Sequence, residues 1–551
     1  MKLTLEGIRD RKAWEQAGIA LPEYDVASVT EQARRAPRWV HFGIGNIFRI
    51  FLGGIADRLL AQGELDCGVT CVETFDYDVV DQIYAPYDNL ALSVILHGDG
   101  TVDRRVLGCF GEALKAQHAN AADWNRLKEI FCAPSLQLIS FTITEKGYAL
   151  ERADGTYFDY VQADIENGPQ QVSGAMAVVT AMLWERYQNG AQPLALVSMD
   201  NCSQNGRKLR ESVMTMTREW RKRGYVDDGF AAYVDDETRV AFLWTMIDKI
   251  TPRPSEKIAR ELTEAGVEDM QPVVTSKRTY IAPYANAEGP QYLVVEDRFP
   301  NGRPAFEKAG IYMTDRETVE KSERMKVTVC LNPVHTALGP YGCVLGYDLF
   351  ADEMRDPDML KLGKLVSYGE GMRVVPDPGI LSPKAFLDEC IYDRFPNPYL
   401  GDTCQRLCTD SSQGLGVRFG VTVRSYVERY GSAKELVGIP LAIAGWLRYL
   451  LGIDDEGNTY GLAPDPLVPK MQEQLAGIVI GEPESLKDQL RWILSNENIF
   501  FINLYEAGIG EQIEQIFREE IAGPGAVRRT VQKYLAQVKK INEETGGWER
   551  A

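Results

Sequence analysis

Three chemically complementary side chains, Lys326, Asn332 and His335, fall within ten residues in the stretch SERMKVTVCLNPVHTALGPYG. Metal-free hydride transfer at a secondary alcohol needs a group to hold the hydroxyl proton and donors for the developing alkoxide. A lysine of lowered pKa suits the first task and an asparagine amide the second. His335 then either hydrogen-bonds the reacting oxygen or holds the lysine in place. On a straight helix turning about 100° per residue, His335 would lie about 900° from Lys326, on the opposite face. Pro333 has no N–H to give the carbonyl four residues back, so this turn is expected to widen by one residue into a π-turn. Absorbing that residue leaves the two side chains about 80° apart, within a lysine's reach.

Hydride chemistry also needs a dinucleotide site, and a candidate stands far upstream. The run His41-Phe-Gly43-Ile-Gly45-Asn46-Ile-Phe48-Arg49 follows an extended apolar segment and opens a helix. There Gly43 and Gly45 let the backbone approach a pyrophosphate at the helix N-terminus. Phe48 occupies the place of a third glycine, and Arg49 in the first helical turn is expected to neutralise cofactor phosphate. The next strand, GVTCVE, ends in Glu73, 28 residues after Gly45. A carboxylate there accepts ribose hydroxyls and repels a 2′-phosphate, which favours NAD over NADP; Asp76 and Asp78 just beyond are alternatives. Thr144 and Glu145 in FTITEKGY end a further strand on the edge where a dinucleotide crosses an open sheet.

These residues need a frame. RWVHF, GVTCVE, LQLISF and PLALVS read as short buried strands alternating with helices such as ADWNRLKEIFC and GAMAVVTAMLWERYQNG, the pattern of an α/β doubly wound parallel sheet. The Pro-, Gly- and Tyr-rich stretch from about 275 to 304 reads as an interdomain crossing. The division is therefore expected at residue 300, with a dinucleotide-binding domain over 1–300 and a mostly α-helical domain over 301–551.

Composition narrows the field further. Lys and Arg total 60 against 79 Asp and Glu, a net charge of −19, so the surface repels nucleic-acid phosphates and anionic lipid. Four histidines, His41, His97, His118 and His335, leave little room for a zinc cluster, and no metal is expected. The charged N-terminus and the lack of a long apolar run predict neither secretion nor a membrane span, hence a cytoplasmic protein. Ten scattered cysteines without a CxxC pair fit reduced thiols. Tyr430 and Lys434 imitate a YxxxK catalytic pair, but Gly431 between them is a poor helix interior, so the match is read as coincidence.

Taken in order, HFGIGN with Arg49, SFTITEKGY, SMDNCSQNG, WTMIDKITP, EDRFPNGRP and the Lys326, Asn332, His335 set resemble the polyol-specific long-chain dehydrogenases, the mannitol dehydrogenase family, over roughly residues 38 to 510. The resemblance implies a Rossmann-like domain followed by a helical domain. It also implies a metal-independent, NAD-dependent oxidoreductase that reduces the ketone of D-fructuronate to D-mannonate, or else a mannitol-type polyol or tagaturonate enzyme. In family terms Lys326 is the general acid or base, Asn332 and Asn201 the oxyanion donors, His335 the orienting group and Asp248 a polar group beside cofactor or substrate. Arg394 in RFPNP and Arg298 are the candidates for a uronate carboxylate, which an arginine fork matches bidentately. The chain departs from the family in three places. The family's phenylalanine in the glycine turn is displaced to Phe48, with Ile47 in its slot. One residue is added between Lys326 and Asn332, and the basic residue of DxSxK patterns is absent from DSSQGLG. The partner expected is a small sugar acid or polyol, and the protein a monomer or small homo-oligomer. From another class, a catalytically silent nucleotide-binding sensor would use the same fold without the chemistry.

Overall fold

The computed structural model describes residues 1–152 and 154–551. The chain divides into two units, Met1–Glu320 and Lys321–Ala551.

The first unit is built on six parallel strands, β1 (Trp39–Phe42), β2 (Val69–Glu73), β3 (Phe110–Lys115), β4 (Leu138–Phe141), β5 (Leu194–Ser198) and β6 (Val240–Leu243). Their spatial order, β3-β2-β1-β4-β5-β6, is the doubly wound arrangement whose order reverses between β1 and β4. The four strands read from sequence are the inner ones, and the two edge strands were not foreseen. Inner strands of a parallel sheet are covered on both faces and so read as unbroken apolar runs. Alternate residues leave on opposite faces. Trp39, Val69, Cys71, Leu138 and Val197 enter one core, whereas Val40, Phe42, Val72, Ile139 and Phe141 enter the other. The crossovers include α1 (Gly53–Ala61), α2 (Ala121–Cys132), α3 (Ala175–Gln188) and α4 (Asn205–Lys222).

The expected domain boundary needs correction. The stretch 275–304 is not a bare crossing: Tyr284–Glu288 joins a second sheet beside Ala91–Leu96, and Tyr292–Glu296 pairs with Thr245–Asp248. Tyr312–Thr314 then adds to Tyr292–Glu296 in parallel, which ties residues beyond 300 to the first unit. The division falls inside the helix α5 (Arg316–Met325).

The second unit is mainly helical. Its centre is α7 (Gly438–Tyr449), all twelve of whose residues are buried, as expected of a helix that is apolar all round. The helix α6 (Asn332–Leu345) packs on it where Gly445 leaves room for the Tyr341 ring. Tyr341 donates its hydroxyl hydrogen to the Leu441 carbonyl or to Glu520 Oε1, at 2.8 and 2.6 Å. These contacts fix the helix that carries Asn332 and His335. Gly431, at φ +78°, ends the helix Val421–Tyr430, so Tyr430 and Lys434 share no helix.

Candidate active site

The glycine turn lies at the carboxyl end of β1, beside the point where strand order reverses, the place at which open α/β sheets bind ligands. Gly43 sits at φ +89°, and a Cβ there would collide with the Thr142 carbonyl after β4; only glycine fits. A Cβ on Gly45 would meet nothing, so its side of the turn is open to a phosphate. Asn46 follows at the start of the helix.

Two expected cofactor residues take other roles. The turn runs at once into a buried π-turn, Phe48–Leu52. Phe48 is fully buried and stacks on the His41 ring at 4.0 Å. Arg49, also buried, donates through Nη1 to the Ala282 carbonyl at 2.7 Å and through Nη2 to Asn46 Oδ1 at 2.6 Å. It thus anchors the turn from below, and burial pulls its pKa down to about 10. His41 bonds Ser140 Oγ and Thr142 Oγ1 at 2.6 and 2.8 Å, and burial lowers its pKa to about 3.

Glu73 ends β2 as expected. Its Oε1 accepts the backbone N–H groups of Thr74, Phe75 and Asp76 at 2.9 to 3.3 Å. Burial raises its pKa, and those amides oppose the rise. Of the alternatives, Asp76 accepts from Thr275 Oγ1 through one oxygen while its buried Oδ1 has no partner among the described residues, and Asp78 accepts from the Ser276 amide.

Beyond β4, Thr144 adopts φ +64°, an uncommon conformation for a residue with a side chain. A group overlooked in the sequence holds it there: Asp200, after β5, accepts the amides of Ile143 and Thr144 at 3.0 and 2.8 Å and the Tyr148 hydroxyl at 2.6 Å. Burial raises the Asp200 pKa, and these three donors counter it. Asn205 is a second missed hub. Its Nδ2 donates to the carbonyls of Asp200 and Thr245, both at 3.0 Å. The available signal was the density of polar residues in SMDNCSQNG straight after an apolar strand. Asn201 lies in that loop and is exposed, Asp248 is buried at the end of its strand, and Glu145 is exposed and paired with Lys208 at 2.9 Å.

In the second unit the chain from α5 to α6 passes through a π-turn over Lys326–Cys330, closed by the Leu331 amide on the Lys326 carbonyl at 3.0 Å. This is the widening expected from Pro333. Lys326 is 2 % exposed. The Oδ1 atom of Asn332 is buried and has no hydrogen-bond partner among the described residues. A buried orphan acceptor is costly and marks a place fitted for a ligand's donor. His335 sits between the rings of Phe350 and Phe395, at 4.9 and 4.6 Å. Phe395 belongs to RFPNP, whose Arg394 is 1 % exposed, with its guanidinium 6.0 Å from the Phe386 ring centre.

Arg298 is corrected as a carboxylate ligand. It is paired with Glu237 and with Glu296, the latter at 3.0 Å, and serves as a structural ion pair in the first unit. Among the described residues no group of three or more His, Cys, Asp or Glu is disposed to hold a metal ion, and no helix is long and apolar enough to cross a membrane.

A Rossmann sheet with a glycine turn, followed by a helical unit carrying a buried lysine, defines a dinucleotide-dependent dehydrogenase. The mannitol dehydrogenase Rossmann domain matches residues 37–308 and the mannitol dehydrogenase C-terminal domain residues 318–519, and the chain belongs to that family. It is an oxidoreductase. Over 540 residues it is 50% identical to a D-mannonate oxidoreductase of Thermotoga maritima, covering 98% of this chain and 99% of that one. To the D-mannonate oxidoreductase of Escherichia coli it is 27% identical, over 83% of this chain and 87% of the relative. The ternary complex of Pseudomonas fluorescens mannitol 2-dehydrogenase with NAD and D-mannitol superposes with a TM-score of 0.71 at 24% identity, over 97% of this chain and 99% of that one.

Proposed function

We propose that the protein is a cytoplasmic NAD-dependent reductase that converts the ketone of D-fructuronate to the secondary alcohol of D-mannonate without a resident metal. The observation that supports the chemistry is Lys326, buried at the start of a π-turn that leads into the helix carrying Asn332 and His335. The full-length likeness to a D-mannonate oxidoreductase supports the choice of substrate.

NADH supplies the hydride when bound. Gly43, Gly45 and Asn46 cradle its pyrophosphate, Glu73 takes the ribose hydroxyls, and Thr144, held by Asp200, lines the crossing of the sheet. Glu145 and Asp248 stand as further polar groups on the cofactor side. In reduction Lys326 delivers a proton to the carbonyl oxygen; in oxidation it withdraws the same proton. The amides of Asn332 and Asn201 donate to the oxygen as charge develops on it. His335, held by its two phenylalanines, orients the oxygen and the lysine, and Arg394 lies on the substrate side.

NADH oxidation with fructuronate, tagaturonate, fructose and xylulose tests this reading. Fructuronate should give the highest kcat/KM. Strong fructose reduction without uronate turnover would replace the assignment with a polyol dehydrogenase, and no turnover of any of the four would favour the silent sensor.

A further inference from the structure

Buried arginines in this protein are, as a rule, well provided with acceptors. Arg186 donates to five backbone carbonyls, and Arg448 donates to two carbonyls with Glu520 and two aspartates nearby. Arg418 differs. Its one hydrogen bond runs from Nη1 to a neutral acceptor, Thr336 Oγ1, at 2.8 Å, and no carboxylate pairs with it among the described residues. Burial alone lowers its pKa, with no opposing charge to restore it. Arg418 is half-buried rather than enclosed, and a largely desolvated cation without a counter-charge is still costly to keep; such a group is explained if it meets an anion during function.

The position of this cation is built rather than incidental. Arg418 lies in a π-turn, Gly416–Gly420, wedged against the segment Ile499–Phe501. A Cβ on Gly416 would lie 2.8 Å from the Ile499 carbonyl, and one on Gly420 would strike the Phe500 carbonyl. The guanidinium lies across the bare face of Gly414, with Cζ and Nε each 2.8 Å from where a Cβ would stand. Thr336, its anchor, is the residue after His335. Next to the turn, Thr422 Oγ1 donates to the Thr328 carbonyl inside the Lys326 π-turn at 3.2 Å. Two elements thus brace Arg418 against the helix that carries the reacting groups. Arg394 is nearly enclosed, whereas Arg418 keeps some exposed surface.

We infer that Arg418 is a specificity-determining residue that binds the carboxylate of a sugar-acid substrate at the end remote from the reacting ketone. This rests on the sugar-acid reading above. An arginine fork can take both carboxylate oxygens while Thr336 holds one Nη in place.

The test compares fructuronate with its uncharged amide in wild type, Arg418→Gln and Arg418→Lys. Wild type should prefer the acid by about 100-fold in kcat/KM, mainly through KM. Arg418→Gln should lose that preference and still bind NADH as wild type does, and Arg418→Lys should recover part of it. Retention of the preference in Arg418→Gln overturns the Arg418 assignment alone. If neither variant folds or binds NADH, Arg418 is structural and the inference also fails. A wild type inactive on both acid and amide would refute the parent reading and this inference with it.

Discussion

Each unit contains a buried five-residue π-turn near its functional residues, and the two are used differently. In Phe48–Leu52 the wider turn directs Phe48 under His41 and Arg49 toward backbone carbonyls; both ring nitrogens of His41 and both Nη atoms of Arg49 are bonded, with only Arg49 Nε left over. In Lys326–Cys330 the same device buries a lysine, and the helix that follows opens with an Asn332 oxygen that lacks a partner among the described residues. The backbone geometry is shared, but the first turn is a satisfied scaffold and the second keeps polar capacity for a ligand.

Substitutions should separate the two turns. Lys326→Ala is expected to lower kcat by about 10³-fold or more, the scale of a lost general acid, with the NADH dissociation constant unchanged; stopped-flow and titration check both. Arg49→Met should act through stability. It strands the Ala282 carbonyl and releases Asn46 Oδ1 at a cost of about 2 to 3 kcal/mol, read in denaturant unfolding, while the folded fraction keeps kcat within a few-fold. If Arg49→Met abolished turnover without loss of stability, the scaffold assignment would be wrong. Pro333→Ala returns an N–H to the Val329 carbonyl and lets the second turn relax toward a regular helix. A fall in kcat of about 10-fold is expected at near-native stability, since about 1.4 kcal/mol of positioning is lost.

A further effect is silent near neutrality and appears only in acid. The pKa of His41 is depressed to about 3 in the fold, against about 6.5 in the unfolded chain. The unfolded state therefore binds the extra proton first. The stability contributed by neutral His41 is whole above about pH 6.5 and is lost, at up to about 1.4 kcal/mol per pH unit, as pH falls toward 3. His41→Asn should flatten that part of the acid-unfolding curve; an unchanged slope would show that His41 is not buried neutral.

The contrast also shows what the sequence made legible. The inner strands announced themselves because both of their faces are apolar; of the edge strands, Phe110–Lys115 interrupts its apolar run with Glu112 and Lys115, and Val240–Leu243 is apolar and buried throughout but only four residues long. The π-turn at Lys326 could be expected because Pro333 deletes a donor at a countable distance from two reactive side chains. The one at Phe48 carries no proline, so a regular helix placed Phe48 and Arg49 toward the cofactor when the wider turn buries them. Asp200 and Asn205 were missed because their partners, the amides of Ile143 and Thr144 and the Thr245 carbonyl, come from strands far away in the chain. The boundary at 300 failed for a related reason: Tyr312–Thr314 belongs to the first unit through pairing that no local pattern displays.

The central claim is that the lysine in the second π-turn moves the proton that accompanies the hydride. Single-turnover reduction of fructuronate by the NADH complex, followed across pH in wild type and Lys326→Ala, tests it most directly. The wild-type rate should fall at high pH as the lysine loses its proton, and the variant should be about 10³-fold slower and lack that limb. A variant that kept the wild-type rate, or the same alkaline limb, would contradict it.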